Sequence, residues 1–163
     1  MTNSNNTRAI TVALKNVTLD HVRVGQAYTP SFAEGNDVPQ WSLMVRAAET
    51  SESFEVLLDL KEVGLPVKLE ESGELSLNLK QYTKTLSGKE NVVNVFDNEF
   101  NELDEDTRGT IGNGSVGHVA FYYYGYANAN GVGHTARLTD VVLEEKVEYT
   151  PETKEDRMKR LFG

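Results

Sequence analysis

Two stretches of the sequence place aromatic rings and fixed positive charge at the spacing of a strand face. Alternate side chains of an extended chain point to opposite sides. Along the run from Leu75 to Lys84, one set is Leu75, Leu77, Leu79 and Gln81, which suits a core. The other set is Ser76, Asn78, Lys80, Tyr82 and Lys84, so two lysines flank a tyrosine on an exposed face. From Leu75 to Lys89 there are three bases and no acid. In the second stretch, Val119, Phe121 and Tyr123 alternate with His118, Ala120, Tyr122, Tyr124 and Tyr126. Both sides of this run cannot be core, so a row of tyrosines lines a surface. A phenol offers a flat apolar face together with a hydroxyl that stays hydrated. Rings beside ammonium and guanidinium groups suit single-stranded nucleic acid. Cations track its phosphates, and unstacked bases settle on rings at about 1–3 kcal/mol each. Duplex DNA hides its ring faces, so single strands fit better. The alternative is a β-sandwich module that binds protein or carbohydrate through the same tyrosines, since sugar rings also stack on aromatics.

Other chemistries are poorly supplied. Gly112-Asn113-Gly114-Ser115-Val116-Gly117 matches the letters of a dinucleotide-binding fingerprint, which works only where a helix N-terminus faces the pyrophosphate. Here a strand-like run, His118 to Tyr126, follows instead, so the glycines read as a tight turn or bulge that launches a strand. His21, His118 and His134 are the three histidines, and none has a partner at metal-ligand spacing. The absence of cysteine removes disulfides, thiolate metal sites and a cysteine nucleophile. Residues Asp97 to Asp106 lack the alternating acids followed by Gly of a calcium loop. Ser115, His118 and Asp140 can be drawn as a trio, but no nucleophile elbow surrounds the serine. The expectation is a binding protein and not an enzyme, with no cofactor and no metal.

The elements that must position these faces are mostly strands. The chain has 163 residues, 39% of them hydrophobic and 25% charged, which is enough for one core. Period-two runs cover Ala9 to Lys15, His21 toward Tyr28, Trp41 to Ala47, Leu75 to Thr83, Val92 to Phe96, Gly117 to Tyr126 and Thr135 to Val147. Two stretches look helical. Glu52 to Val63 is a mixed pattern stopped by Gly64 and Pro66, with a strand nearly as well supported. Thr150 to Phe162 opens with Pro151 and carries acids early and bases late, as a helix dipole favours. Thr29 to Gln40 is a turn-rich insertion, and Asp97 to Asp106, with six acids and no base, reads as a solvated loop. No run approaches the roughly 18 apolar residues of a membrane span, and Met1 to Thr7 is polar, so a soluble intracellular protein is expected. A net charge of −9 and a pI near 4.8 argue against a polyanionic partner only as a sum. Screening limits the reach of a charge to about 10 Å, so the local distribution decides.

Taken in order, Trp41-Ser42-Leu43, Lys80-Gln81-Tyr82-Thr83-Lys84, Gly88-Lys89, Val92 to Asp97, Ile111-Gly112-Asn113-Gly114-Ser115, the tyrosine strand, Ala136-Arg137-Leu138 and Val141-Val142-Leu143 resemble the phage single-stranded DNA-binding proteins, of the type used in replication by short-tailed phages and their relatives. The resemblance spans Ala9 to Val147 and rests most on Ile111 to Ser115, the strand that follows it and the Leu138 to Glu144 run. It implies an all-β, OB-fold-type, partly open five-stranded barrel with extra strands or loops, one short helix and a C-terminal helix. The implied organisation is a flexible segment 1–8, a DNA-binding domain 9–149 and a tail 150–163. The implied function is sequence-nonspecific binding of single-stranded DNA in phage replication and recombination, in the cytoplasm of the infected bacterial host. Replication proteins such as DNA polymerase, and a second copy in a homodimer, are the further partners; a membrane is not.

Carried onto matching positions, the implied DNA contacts are Lys80, Tyr82 and Lys84, then Tyr122 and Tyr124, with Arg137 on the neighbouring strand. These are the faces that alternation selects. Arg46 and Trp41 complete the set, although Trp41 shares a face with Leu43 and Val45 that suits a core. Members of this family commonly end in a strongly acidic tail with a terminal aromatic, which contacts polymerase and competes with DNA. Residues Glu144 to Gly163 depart from that, with six acids against five bases. Either the run Asp97 to Asp106 takes the competing role or the protein lacks it, and the first is the hypothesis to test. Replacing its acids by Asn and Gln should raise single-strand affinity, and an unchanged affinity would remove the idea.

Overall fold

The structure is a computed structural model and describes residues 10–28, 39–84, 88–128, 131–148 and 153–163. β-Branched and aromatic residues in alternation build β1 (Ile10–Tyr28), β2 (Gln40–Ala47), β3 (Lys68–Leu69), β4 (Leu75–Tyr82), β5 (Asn94–Phe96), β6 (Ser115–Asn128) and β7 (Gly131–Glu145). They form one seven-stranded sheet in the order β3-β4-β2-β1-β6-β7-β5, antiparallel throughout except for the parallel β5–β7 pair. A sandwich needs two facing sheets, and the described residues hold a single one, so the sandwich alternative is corrected.

Two expected runs at the N-terminus merge into the single long β1. Their junctions survive as irregularities, because the register shifts between Leu14 and Val17 against β6 and between Asp20 and Arg23 against β2. Asn16 and His21 adopt φ of 54° and 50° at these points, the bulge geometry that bends a strand and tightens its twist. Downstream, Gly114 at φ 89° forms the turn that launches β6, with no helix behind it for a dinucleotide.

The inward faces follow the alternation. Leu75, Leu77 and Leu79 of β4, Leu43 and Val45 of β2, Leu14, Val17 and Leu19 of β1, Phe121 of β6 and Leu138 and Val141 of β7 are buried together. β3 pairs with only two residues of β4, and β5 pairs with β7 only from Asp140 to Val142. The remaining outer edges of β4 and β7 therefore have no strand beside them among the described residues. The sheet curls until these edges meet, where Gln81 Nε2 donates to the Leu138 carbonyl at 3.3 Å.

Three helices accompany the sheet: α1 (Ser53–Val63), α2 (Glu105–Arg108) and α3 (Lys154–Phe162). The ambiguous run is helix α1 because Ser53, Leu57 and Leu60, spaced as one helical face, are buried. Residues Asp97 to Asp106 form the expected solvated loop up to Asp104, and the run ends by entering α2 at Glu105. The Asp97 carboxylate accepts the N–H groups of Glu99 and Asn101, each at 2.9 Å. Asp104 caps α2 by accepting the Thr107 N–H at 2.8 Å. The Asn101 N–H holds the Asp97 carboxyl below the usual carboxylate range, and the Thr107 N–H does the same for Asp104. α3 forms where expected but starts from a Thr153 cap, whose hydroxyl accepts the Asp156 N–H at 3.0 Å; all its residues are exposed. Pro151, the segment 1–8 and most of the turn-rich insertion, residues 29–38, lie outside the described residues. No helix among the described residues is long and apolar enough to cross a membrane.

Candidate nucleic-acid interface

Where β4 meets β7, the surface opens into a groove of about 670 Å³ that also reaches β1, β2 and the residues after α1. Lys80 and Tyr82 line it from β4 and Arg137 from β7. The Lys80 ammonium lies 5.2 Å from the Tyr82 ring centre and the Arg137 guanidinium 5.0 Å from it, both at cation–π distance. A ring that gathers two cations keeps them at one place on the wall, ready for a polyanion. Arg137 is held further by donating to Thr135 Oγ1 at 2.8 Å and to the Ala136 carbonyl at 3.2 Å.

The tyrosine strand joins this cluster through register. Tyr122 sits directly opposite Arg137, and Tyr124 opposite Thr135. Facing residues of an antiparallel pair project from the same side with their Cβ atoms about 5 Å apart. Tyr122, 47% exposed, and the half-buried Tyr124 thus stand on β6 beside Arg137 and Thr135 in register, outside the lining of the groove itself. Tyr126 lies in β6 with its side chain outside the described residues. Lys84 is exposed just beyond β4, bridged by its backbone to Glu90.

Two candidate residues stand elsewhere. Arg46 binds Asp20 through Nε, and its two terminal nitrogens reach Glu74 at 2.9 Å and Asp20 at 3.3 Å. Asp20 also accepts the Gly114 N–H at 3.1 Å. The hydrogen-bonded Asp20 carboxylate raises the Arg46 pKa further above its ordinary value. Hydrogen bonds to charged groups contribute about 1.5–3 kcal/mol each, so Arg46 is held as a brace between β1, β2, the β3–β4 turn and the start of β6. Trp41 is half-buried and packs against the core beside Leu43.

Three groove residues were not selected from the sequence: Arg23, His21 and His134. Arg23 had a local signal, since it alternates with Val22 and with the buried Val24. His134 had none, because its surroundings, Tyr123 on the paired strand β6 and Gly64 at the end of α1, are set by strand register and packing. Among the described residues the groove lining holds three bases, two histidines and no Asp or Glu, although the chain has 25 acids against 16 bases. Among the described residues no cluster of His, Asp and Glu could hold a metal ion.

No protein-family model matches the sequence, and no curated protein matches it. Solved structures do match the fold. The single-stranded DNA-binding protein of bacteriophage Enc34, solved in complex with single-stranded DNA, superposes with a TM-score of 0.64 over 93% of this chain and 97% of its own, at 12% identity. Gp2.5, a single-stranded DNA-binding protein encoded by bacteriophage T7, superposes with a TM-score of 0.61 over 94% of each chain, at 14% identity. The fold is that of phage single-stranded DNA-binding proteins, as the ordered pieces of sequence imply.

Proposed function

We propose that this protein binds single-stranded DNA without strict sequence preference and acts in phage DNA replication and recombination, as a binding protein and not an enzyme, in the cytoplasm of the infected host. The curled sheet is read as a partly open OB-type barrel, in which β1, β2, β4, β7 and β6 follow one another around the core while β3 and β5 are additions. In this reading Lys80, Arg137 and Arg23 pair with phosphates, Lys84 adds charge at the end of β4, and bases stack on Tyr82, Tyr122 and Tyr124. Stacking on a ring is indifferent to base identity, which supports sequence tolerance. Replication proteins such as DNA polymerase, and a second copy of the chain, remain its proposed protein partners.

The observation that carries this reading is a groove whose described lining has three bases and no acid, in a chain of net charge −9. A basic, ring-lined channel draws in a polyanion at short range, while the acidic remainder repels indiscriminate contact and keeps coated strands soluble. The fold shared with proteins that bind single-stranded DNA supports the same reading. Titration with oligo-dT should quench protein fluorescence at low salt, and the affinity should fall steeply as salt rises, because counterions are released on binding. An absence of quenching at low salt overturns the reading. The acidic run keeps its proposed competing role with a narrower test. Asp97 and Asp104 hold local structure, so Glu99, Glu102, Glu105 and Asp106 are the acids to replace by their amides, with a gain in affinity for oligo-dT as the expected outcome.

A further inference from the structure

Next to the cations, the groove has an apolar part lined by Leu65, Pro66 and Ala136, and His134 stands within it. The histidine ring is held between two neighbours, Tyr123 and Gly64. It lies parallel to the Tyr123 ring, with centres 5.7 Å apart and planes inclined by 7°. The Tyr123 hydroxyl is 2.7 Å from His134 Nδ1. On the Cδ2 edge it meets the α1 cap residue Gly64, at φ 111°, where a Cβ would sit 3.1 Å from His134 Cδ2. A side chain at Gly64 would press on this edge of the ring, and the positive φ itself favours glycine there.

The hydrogen bond also sets where the proton resides. A phenol is a strong O–H donor and a weak acceptor, whereas an unprotonated imidazole nitrogen is a strong acceptor. Tyr123 therefore donates to Nδ1, and the neutral ring carries its proton on Nε2. The consequence is a fixed N–H donor in an apolar recess, a few side chains from the cations that receive phosphates. A phosphate is better served by the long, hydrated side chains of Lys80 and Arg137. An apolar recess with one rigid donor fits the flat edge of a base that presents a carbonyl oxygen.

We infer that His134 is a specificity-determining residue: its Nε2–H reads O4 of thymine or O6 of guanine in one inserted base, the position at which cytosine and adenine carry an amino group that is itself a donor, biasing an otherwise tolerant groove toward thymine and guanine over cytosine and adenine. This rests on the proposed binding of single-stranded DNA and deepens it by one subsite. Tyr123 is the positioning residue that fixes tautomer and orientation.

The test compares the dissociation constants of oligo-dT and oligo-dC of equal length, at one salt concentration, for the native protein, His134→Phe and Tyr123→Phe. Phenylalanine at 134 keeps a flat ring against Tyr123 and Gly64 but has no donor. The native protein should favour oligo-dT by about 3- to 10-fold, the worth of one hydrogen bond to a base. His134→Phe should lose affinity for oligo-dT and much less for oligo-dC, so that the ratio falls to near one. Tyr123→Phe, which spares His134 itself, should lower the ratio partway. An equal ratio in all three proteins, or a loss in His134→Phe that is the same for both oligonucleotides, overturns the base readout while leaving the binding function standing. Failure of the native protein to bind either oligonucleotide overturns both.

Discussion

Replacing Arg23, Lys80 and Arg137 together by Gln should lower the slope of log K against log salt by about 2, since each phosphate contact to a single strand contributes about 0.7. At about 0.1 M salt the same loss amounts to roughly a hundredfold weaker binding. The three residues reach the groove from β1, β4 and β7, so the test asks whether one continuous phosphate track crosses the seam between the last two. Arg137→Gln alone should cost more than Lys80→Gln alone. Arg137 also carries the link from Tyr82 to Tyr122, leaning on one ring and facing the other in register. Lys159→Gln on the exposed helix α3 is the control and should leave the slope unchanged. A triple variant with the native slope would show that the phosphates run elsewhere.

The second large effect concerns the rings. Tyr82→Ala and Tyr122→Ala should each weaken binding by about 5- to 150-fold, the range that follows from 1–3 kcal/mol per stacked base. Their Phe counterparts should stay near the native value, because stacking needs the ring and not the hydroxyl. Salt separates this contribution from that of the cations. Counterion release fades at high ionic strength while stacking persists, so the Tyr→Ala variants should shift the whole salt plot down without changing its slope. Tyr82 is the exception to watch, since it also gathers Lys80 and Arg137, and its loss should lower the slope slightly as well. Tyr→Ala variants that remain folded and bind like the native protein would remove the stacking role.

These experiments probe faces that could be read residue by residue along the chain. Leu75, Leu77 and Leu79 lie inside and Asn78 and Lys80 outside, because side-chain direction in a strand is a property of neighbouring residues alone; Ser76, expected on the exposed face, is buried where it pairs with β3 and donates to Glu70. The two runs of β1 were legible for the same reason, but their fusion was not, since bulges at Asn16 and His21 keep the strand continuous while breaking its period. α2 escaped because four residues carry no periodicity. Arg46 looked like its neighbours on an outward face, yet Asp20 and Glu74, 26 and 28 residues away, claim its guanidinium.

By itself the sequence determined which side of each strand is apolar and where tyrosines and bases alternate. It also set a surplus of acids in which a stretch free of them stands out. Only the tertiary structure decided that the open edges of β4 and β7 meet, that Arg137 lies over the Tyr82 ring, and that His134 is clasped between Tyr123 and Gly64. The reason is physical. Alternation is set by the geometry of each residue's own backbone, whereas the groove exists only once the sheet has curled far enough to bring together residues separated by half the chain.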